Sequence, residues 1–163
     1  MSPHEEVVVR VADLKTAAPG QTLVTVGLGS CVAVVLHDPV AKVGGMAHVL
    51  LPSPALSREQ DNVAKFPQTA VPKLLALMAE LGADRARITA RLAGGASMFA
   101  NLSPPGAIQM GERNVVACKQ VLNEHGIPLT GEAVGGDYGR TVRLEASSGR
   151  MDVSSVAHGV QTL

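Results

Sequence analysis

Short apolar runs, several with polar residues in alternate positions, recur along the chain and are typical of β-strands. They are rich in Val, Thr and Leu, and turn sequences such as Pro-Gly at 19–20 and Ser-Ser-Gly at 147–149 separate them. In the run 32–37, apolar residues occupy both the odd-numbered and the even-numbered positions, so we expect that strand to be covered on both faces. The pattern predicts strands at 7–11, 22–26, 32–37, 43–51, 87–92, 127–134, 140–146 and 150–155.

Helical spacing of apolar residues occurs in two further segments. The first, 69–81, stops before Gly82, and the second, 113–125, stops before Gly126. Pro72 is compatible with the first helix only in its first turn. Residues 52–66 lack apolar periodicity, and we interpret them as a loop that can line a site.

Because strands outnumber helices and many neighbouring strands look antiparallel, the pattern predicts an α+β fold. Its mixed, largely antiparallel β-sheets form a sandwich with flanking helices. The length of 163 residues suits one domain, 1–163, in which 155–163 form a C-terminal tail that is free to be mobile.

Composition excludes several classes of function. Lys plus Arg balance Asp plus Glu at 14 each, and only two Phe and one Tyr are present, so we expect no nucleic-acid partner. No apolar run approaches the ~18 residues of a spanning helix, and the N-terminus does not resemble a secretory signal. We therefore expect a cytoplasmic protein with no membrane insertion and with two free thiols, Cys31 and Cys118.

One cysteine stands in an unusual context. In the segment VGLGSCVAVV, residues 26–35, Gly27, Gly29 and Ser30 leave the backbone before Cys31 open to approach, and an apolar strand follows it. A four-residue turn at 38–41 would pair His37 with Lys42 and place Cys31 opposite His48 on the same face. A turn one residue longer or shorter would change that partner.

Cysteine beside histidine is the arrangement that nucleophilic attack on a carbonyl requires, since a free thiol is mostly protonated at neutral pH. Backbone N–H groups near Gly29, Ser30 and Cys31 would then be available to a developing oxyanion. The ordinary interpretation also stands: with two cysteines and five histidines a chance pairing is common, and glycines before a strand usually form a turn.

The remaining candidates suggest structural roles. Cys118 lies on the apolar face of its helix, and His4, His37, His125 and His158 lack ligand-like spacing, so we predict no metal. The glycine pairs complete neither a dinucleotide fingerprint nor a phosphate loop, so we predict no cofactor.

Four segments resemble the CheD family of chemoreceptor glutamine deamidases: TVGLGSCVAVVLHDPVAKVGGMAHVLLP at 25–52, AGGASMF at 93–99, MGERN at 110–114 and VGGDYGR at 134–140. The resemblance implies a hydrolase that converts glutamines of methyl-accepting chemotaxis receptors to glutamate and releases ammonia. It implies Cys31, His48 and Thr25 as catalytic residues. It also implies a sandwich similar to the deamidase domain of cytotoxic necrotizing factor, and the chemotaxis phosphatase CheC as a candidate partner.

Other functions remain open at this point. A non-catalytic regulatory module could keep the fold and act by binding CheC or a receptor. A cysteine-dependent peptidase or transglutaminase would share the attack by the thiol and the thioester intermediate.

Overall fold

The structure, a computed structural model, describes residues 5–99, 102, 104 and 106–163. Its strands are β1 (Glu5–Val8), β2 (Leu14–Ala17), β3 (Gln21–Leu28), β4 (Val32–Asp38), β5 (Val43–Val49), β6 (Thr89–Gly94), β7 (Leu129–Val134), β8 (Arg140–Glu145), β9 (Met151–Ser155) and β10 (Gly159–Thr162). The α-helices are α1 (Pro67–Glu80) and α2 (Met110–Glu124), and short 3-10 helices occur at Pro54–Leu56, Val63–Lys65 and Arg85–Arg87.

The strands in the described ranges form two five-stranded sheets. The first sheet has the order β1-β3-β8-β9-β10, and the second has the order β2-β5-β4-β6-β7. Only β1 with β3 and β6 with β7 pair in parallel among these strands. The prediction of an α+β sandwich with mixed, largely antiparallel sheets is confirmed.

Two cores lie on the opposite faces of β4 and β5, which are buried along their whole length. Alternate side chains of these strands point between the sheets or toward the helices, as expected for apolar residues at both parities. The inter-sheet core includes Leu23, Ala33, Val35, Met46, Leu144 and Met151. The helix-facing core includes Val32, Val34, Ala47, Val49, Leu74, Met78, Val115 and Leu122.

Both helices begin earlier than their apolar spacing predicts. Pro67 opens α1, so Pro72 lies beyond the first turn, where it removes one helical N–H donor; the expected first-turn position is wrong. α2 starts at Met110 rather than at residue 113, because its first turn is packed against the loop after β6. A Cβ at Gly111 would meet the carbonyl oxygens of Gly95 and Ala96, so this contact requires glycine.

The predicted register of the β4–β5 hairpin is wrong. β4 extends to Asp38, which pairs with Val43, so the turn occupies 39–42 rather than 38–41. The Asp38 carboxylate accepts hydrogen bonds from the N–H groups of Val40 and Ala41 at 2.9 and 3.1 Å, which moves the turn by one residue. His48 therefore faces Ala33 instead of Cys31.

Two strands do not appear in the sequence-based prediction. β2 pairs antiparallel with β5, and β10 pairs antiparallel with β9 inside the segment 155–163 that we interpreted as a tail. All four residues of β10 are exposed, so no alternation of burial marks them in the sequence. Within the described parts of the chain, no helix is both long and apolar enough to cross a lipid bilayer.

Candidate active site

Thr25 and His48 meet between the two sheets. Thr25 lies on β3 of the first sheet and His48 on β5 of the second, and both are fully buried. The Thr25 hydroxyl oxygen is 2.8 Å from Nδ1 of His48. Sandwich packing thus brings together two residues that are 23 positions apart in the chain.

The hydrogen bonds of Thr25 fix the tautomer of His48. The Thr25 hydroxyl donates to the carbonyl of Val9 at 2.6 Å, so its single proton is used there. It must therefore accept from His48, which places the proton of the neutral imidazole on Nδ1. The lone pair is left on Nε2, a buried atom with no hydrogen-bond partner among the described residues. His48 is arranged to accept one more proton.

Cys31 precedes β4 on the same face as His48. Ala33 pairs with His48, and Cys31 comes two residues before Ala33, so its side chain also points between the sheets. Cys31 lies one residue beyond the last pair of this ladder, Val32 with Val49, so the two side chains share a face without being directly opposite. No hydrogen bond joins the thiol to Nε2 in this arrangement. Such contacts often tighten only when substrate binds.

The thiol opens onto a cavity of about 380 Å³. Gly29 and Ser30 line it together with Cys31, which is 9% exposed, and the opposite walls come from 96–99 and from the start of α2 at 109–111. A larger cavity of about 520 Å³, lined in part by Gly27 and by 138–141, does not reach Cys31, and the fully buried His48 lines neither cavity. The smaller cavity is therefore the candidate active site.

Backbone contacts hold the segment before Cys31 from one side. The carbonyl of Gly29 accepts from Ala96 N–H at 2.9 Å, and the carbonyl of Cys31 accepts from Gly95 N–H at 2.8 Å. A side chain at Gly94 would run into the Cys31 carbonyl, so the close approach of this loop requires glycine. The N–H groups of Gly29 and Ser30 donate to no oxygen of the described residues.

Burial keeps the thiol and the imidazole neutral at rest. Removal from water raises the pKa of Cys31, and a hydrogen bond from its own backbone opposes this rise only in part. Removal from water likewise lowers the pKa of His48. Both shifts disfavour a resting thiolate–imidazolium pair, so the proton would move during attack.

The other sequence candidates lie apart from this cavity. Cys118 is fully buried in the helix-facing core, which raises its pKa to about 12. His37 binds the carbonyl of Ala146 at 2.7 Å, and His125 contacts Arg85 on the surface. His158 packs against the ring of Tyr138 in a tilted arrangement, and His4 lies outside the described residues. No cluster suited to a metal ion occurs among the residues that the structure describes.

Sequence reasoning assigned no role to Asn114. This fully buried side chain donates to the carbonyls of Ser30 and Leu50 at 2.9 and 3.2 Å. Its position four residues before Cys118, on the buried face of α2, is a signal that was present in the sequence. An asparagine on an apolar helix face must find partners, and here they are the backbone carbonyls next to Cys31 and near His48.

Comparison with known proteins identifies the family. A family model described as CheD chemotactic sensory transduction matches residues 50–155. A protein of Caldanaerobacter subterraneus named "Probable chemoreceptor glutamine deamidase CheD" is 44% identical over 94% of both chains. The chain belongs to the CheD family. A second CheD protein, from Halalkalibacterium halodurans and named "Chemoreceptor glutamine deamidase CheD", is 43% identical over 96% of this chain and 97% of its own.

The matched span of the CheD model begins at residue 50, so Thr25, Cys31 and His48 fall outside it, whereas the alignments with relatives cover nearly the whole chain. Among solved structures, a Neisseria meningitidis protein of the DUF152 family has a TM-score of 0.50 at 9% identity. The alignment covers 82% of this chain and 63% of that chain, and it shows a shared fold alone.

Proposed function

We propose that this protein is a cysteine-dependent deamidase that hydrolyses selected glutamine side chains of methyl-accepting chemotaxis receptors to glutamate. The names of its CheD relatives support the reaction and the substrate. The observation that carries the proposal is that Nε2 of His48 has no hydrogen-bond partner among the described residues and is held in its acceptor tautomer, on the sheet face that also bears Cys31.

Proton transfer starts the proposed reaction. Nε2 of His48 takes the proton from the Cys31 thiol while the thiolate attacks the carboxamide carbon of the glutamine. The imidazole becomes positive, and Thr25 continues to accept from Nδ1–H, so the ring keeps its orientation. Thr25 acts as the third member of a triad although it carries no charge.

Charge then develops on the carboxamide oxygen. The N–H groups of Gly29 and Ser30, which donate to no oxygen of the described residues, belong to the same cavity wall and are the donors that we assign to this oxyanion. The first turn of α2 lines the opposite wall, and its partial positive charge favours an anion there. When the intermediate collapses, the C–N bond breaks and Nε2–H gives its proton to the departing ammonia.

Water completes the cycle. His48, neutral again, takes a proton from water as the water attacks the thioester carbon. The C–S bond then breaks, Nε2–H returns this proton to the departing Cys31 sulfur, and glutamate is released. The sum of the steps is a carboxamide plus water giving a carboxylate and ammonium. The receptor gains one negative charge at the modified position. No metal or cofactor enters any of these steps.

The surface around the cavity suits a protein substrate. Met98, Phe99, Leu102 and Ile108 are exposed apolar side chains in the segments flanking the cavity, and Phe99 is 73% exposed. Exposed groups of this kind are typical of interaction sites. We infer that they contact the receptor helix while a glutamine side chain enters toward Cys31. A cytoplasmic location, where receptor signalling helices would be accessible, is part of this proposal.

Mapping of receptor glutamines tests the proposal. Cytoplasmic receptor fragments are incubated with the protein, digested and analysed by mass spectrometry. Deamidation predicts the amide-to-acid mass change at particular glutamines together with release of ammonia. Chain cleavage would indicate a peptidase, and an amine adduct would indicate a transglutaminase. Receptor that binds but stays unchanged would favour a non-catalytic module that acts by holding a receptor or CheC.

A further inference from the structure

The strand pair that carries Cys31 and His48 separates at the active site. Val32 and Val49 form the last pair of the β4–β5 ladder. Beyond them, Leu50 N–H turns away to the carbonyl of Lys65 at 2.9 Å, and the Cys31 carbonyl accepts from Gly95 on the other side. The backbone ladder therefore does not fix the distance between Cys31 and the strand of His48.

Asn114 spans this gap. Its Nδ2 atom carries two protons, and it lies within hydrogen-bond distance of the carbonyls of Ser30 and Leu50. Ser30 directly precedes Cys31, and Leu50 follows His48 by two residues. One carboxamide thus connects the segment of the nucleophile to the segment of the base. We propose that Asn114 is a positioning residue for the deamidation reaction, an inference that rests on the proposed function.

The contact with Ser30 also orients the peptide unit that joins Ser30 to Cys31. In a trans peptide the C=O and the N–H point in opposite directions, and the described chain contains no cis peptide. Ala96 holds the Gly29 carbonyl, which directs Ser30 N–H away from Ala96. Asn114 holds the Ser30 carbonyl, which directs Cys31 N–H away from Asn114. Loss of Asn114 would free the second of these two units.

Stability alone does not account for an asparagine at this position. Its Oδ1 atom is buried and has no hydrogen-bond partner among the described residues. A buried acceptor without a partner is unfavourable, whereas a leucine of similar size would fill the same space without one. The two N–H donors, rather than the volume, are what the site obtains from Asn114.

Two variants test the inference against a control on the same helix. Asn114→Leu keeps the volume and removes both donors, and Asn114→Ser keeps a single donor without overfilling the site. Val121→Ala is the control, because Val121 is buried on the same helix in the helix-facing core, seven residues after Asn114, and its side chain carries no hydrogen-bond donor. For each protein we would measure the melting temperature, kcat and KM with a receptor fragment, and the pH dependence of Cys31 alkylation by iodoacetamide.

A positioning role predicts that Asn114→Leu lowers kcat about 100-fold while KM stays within about twofold of the parent value. Asn114→Ser should fall between Asn114→Leu and the parent. The alkylation rate of Cys31 should need higher pH in both variants, whereas Val121→Ala lowers only the melting temperature. The inference is overturned if kcat and the alkylation profile are unchanged, or if their loss merely tracks the melting temperature as in Val121→Ala.

Alkylation separates this inference from the proposed function. If the parent protein deamidates no receptor, the proposed function fails, yet a shifted alkylation profile in Asn114→Leu would still show that Asn114 positions Cys31. If the parent deamidates receptor and Asn114→Leu behaves identically, the positioning role fails and the proposed function stands.

Discussion

The hydroxyl of Thr25 lies 2.8 Å from Nδ1 of His48, although the two residues belong to different sheets of the sandwich. Because the same hydroxyl donates to Val9, it can only accept from the imidazole. The geometry of the base therefore depends on how the two sheets pack, and any change that separates them would also misalign His48.

Removal of the Thr25 hydroxyl should impair catalysis more than folding. Thr25→Val preserves shape but leaves Nδ1 of His48 without its acceptor, so the imidazole is free to change tautomer. We expect kcat to fall about 100-fold, in the range attributed to a general base. Steady-state ammonia release measures this. Thr22→Val, at another buried position of β3, is the control and should retain activity; equal losses in the two variants would argue against a role for Thr25.

The loss of activity in acid should have a midpoint below the ordinary pKa of histidine. Burial lowers the pKa of His48, and the neutral imidazole is the base that the mechanism needs. Activity should therefore persist below pH ~6.5 and disappear only as His48 becomes protonated at lower pH. A profile of kcat/KM against pH provides the midpoint. A midpoint above the ordinary value would contradict a buried neutral base.

Alkylation should report on the pairing of Cys31 with His48. Iodoacetamide should label Cys31, which borders a cavity, and spare Cys118, which is fully buried. Because burial raises the pKa of Cys31, its reactivity at neutral pH depends on a base that removes the proton. His48→Ala should therefore slow labelling of Cys31 several-fold, as followed by peptide mass spectrometry. An unchanged rate would mean that the imidazole does not serve the thiol.

The hairpin turn offers a test of the fold away from the cavity. Asp38 is fully buried and accepts hydrogen bonds from Arg87 and from the N–H groups of Val40, Ala41 and Asp84. Burial alone would raise the pKa of Asp38, but these donors outweigh it and hold the pKa well below its usual range. Asp38→Asn should lower the free energy of unfolding by about 2 kcal/mol.

Denaturant unfolding of Asp38→Asn, beside Asp61→Asn at an exposed position, measures that loss. The sign of the pH dependence follows from the lowered pKa. The contribution of Asp38 is complete above the unfolded value of about 3.9 and is lost as the pH falls below it. The difference in the free energy of unfolding between the parent and Asp38→Asn should therefore become smaller at acidic pH. A constant difference would show that the charge of Asp38 is not what stabilises the turn.

The fold class could be read from the sequence because alternation and turn residues are local signals. The register of the hairpin could not be read from the sequence, because the Asp38 carboxylate accepts hydrogen bonds from N–H groups of the turn that follows it and β4 is one residue longer as a result. The prediction paired His48 with Cys31, whereas the structure pairs it with Ala33, two residues later. Because side chains alternate with a period of two, Cys31 and His48 still lie on the same face of the sheet. β10 was not predicted because it is an exposed edge strand and therefore has no alternating apolar face that the sequence pattern could reveal.

The residues of the candidate site also differed in how far the sequence could predict them. Cys31 and His48 were predicted from spacing along one hairpin, whereas Thr25 came only from the family resemblance. No local pattern shows that β3 of one sheet packs against β5 of the other. Asn114 contacts its partners 64 and 84 residues away, so its role emerges only from the assembled structure. The resemblance of the fold to the deamidase domain of cytotoxic necrotizing factor stays a prediction.

Ammonia release from receptor fragments by Cys31→Ala, measured beside Cys118→Ala, tests most directly whether the reaction depends on the Cys31 thiol. We expect Cys31→Ala to release no ammonia above background while it keeps its circular dichroism spectrum and still binds receptor, and we expect Cys118→Ala to turn over receptor at the parent rate. Normal turnover by Cys31→Ala would contradict a cysteine-dependent mechanism.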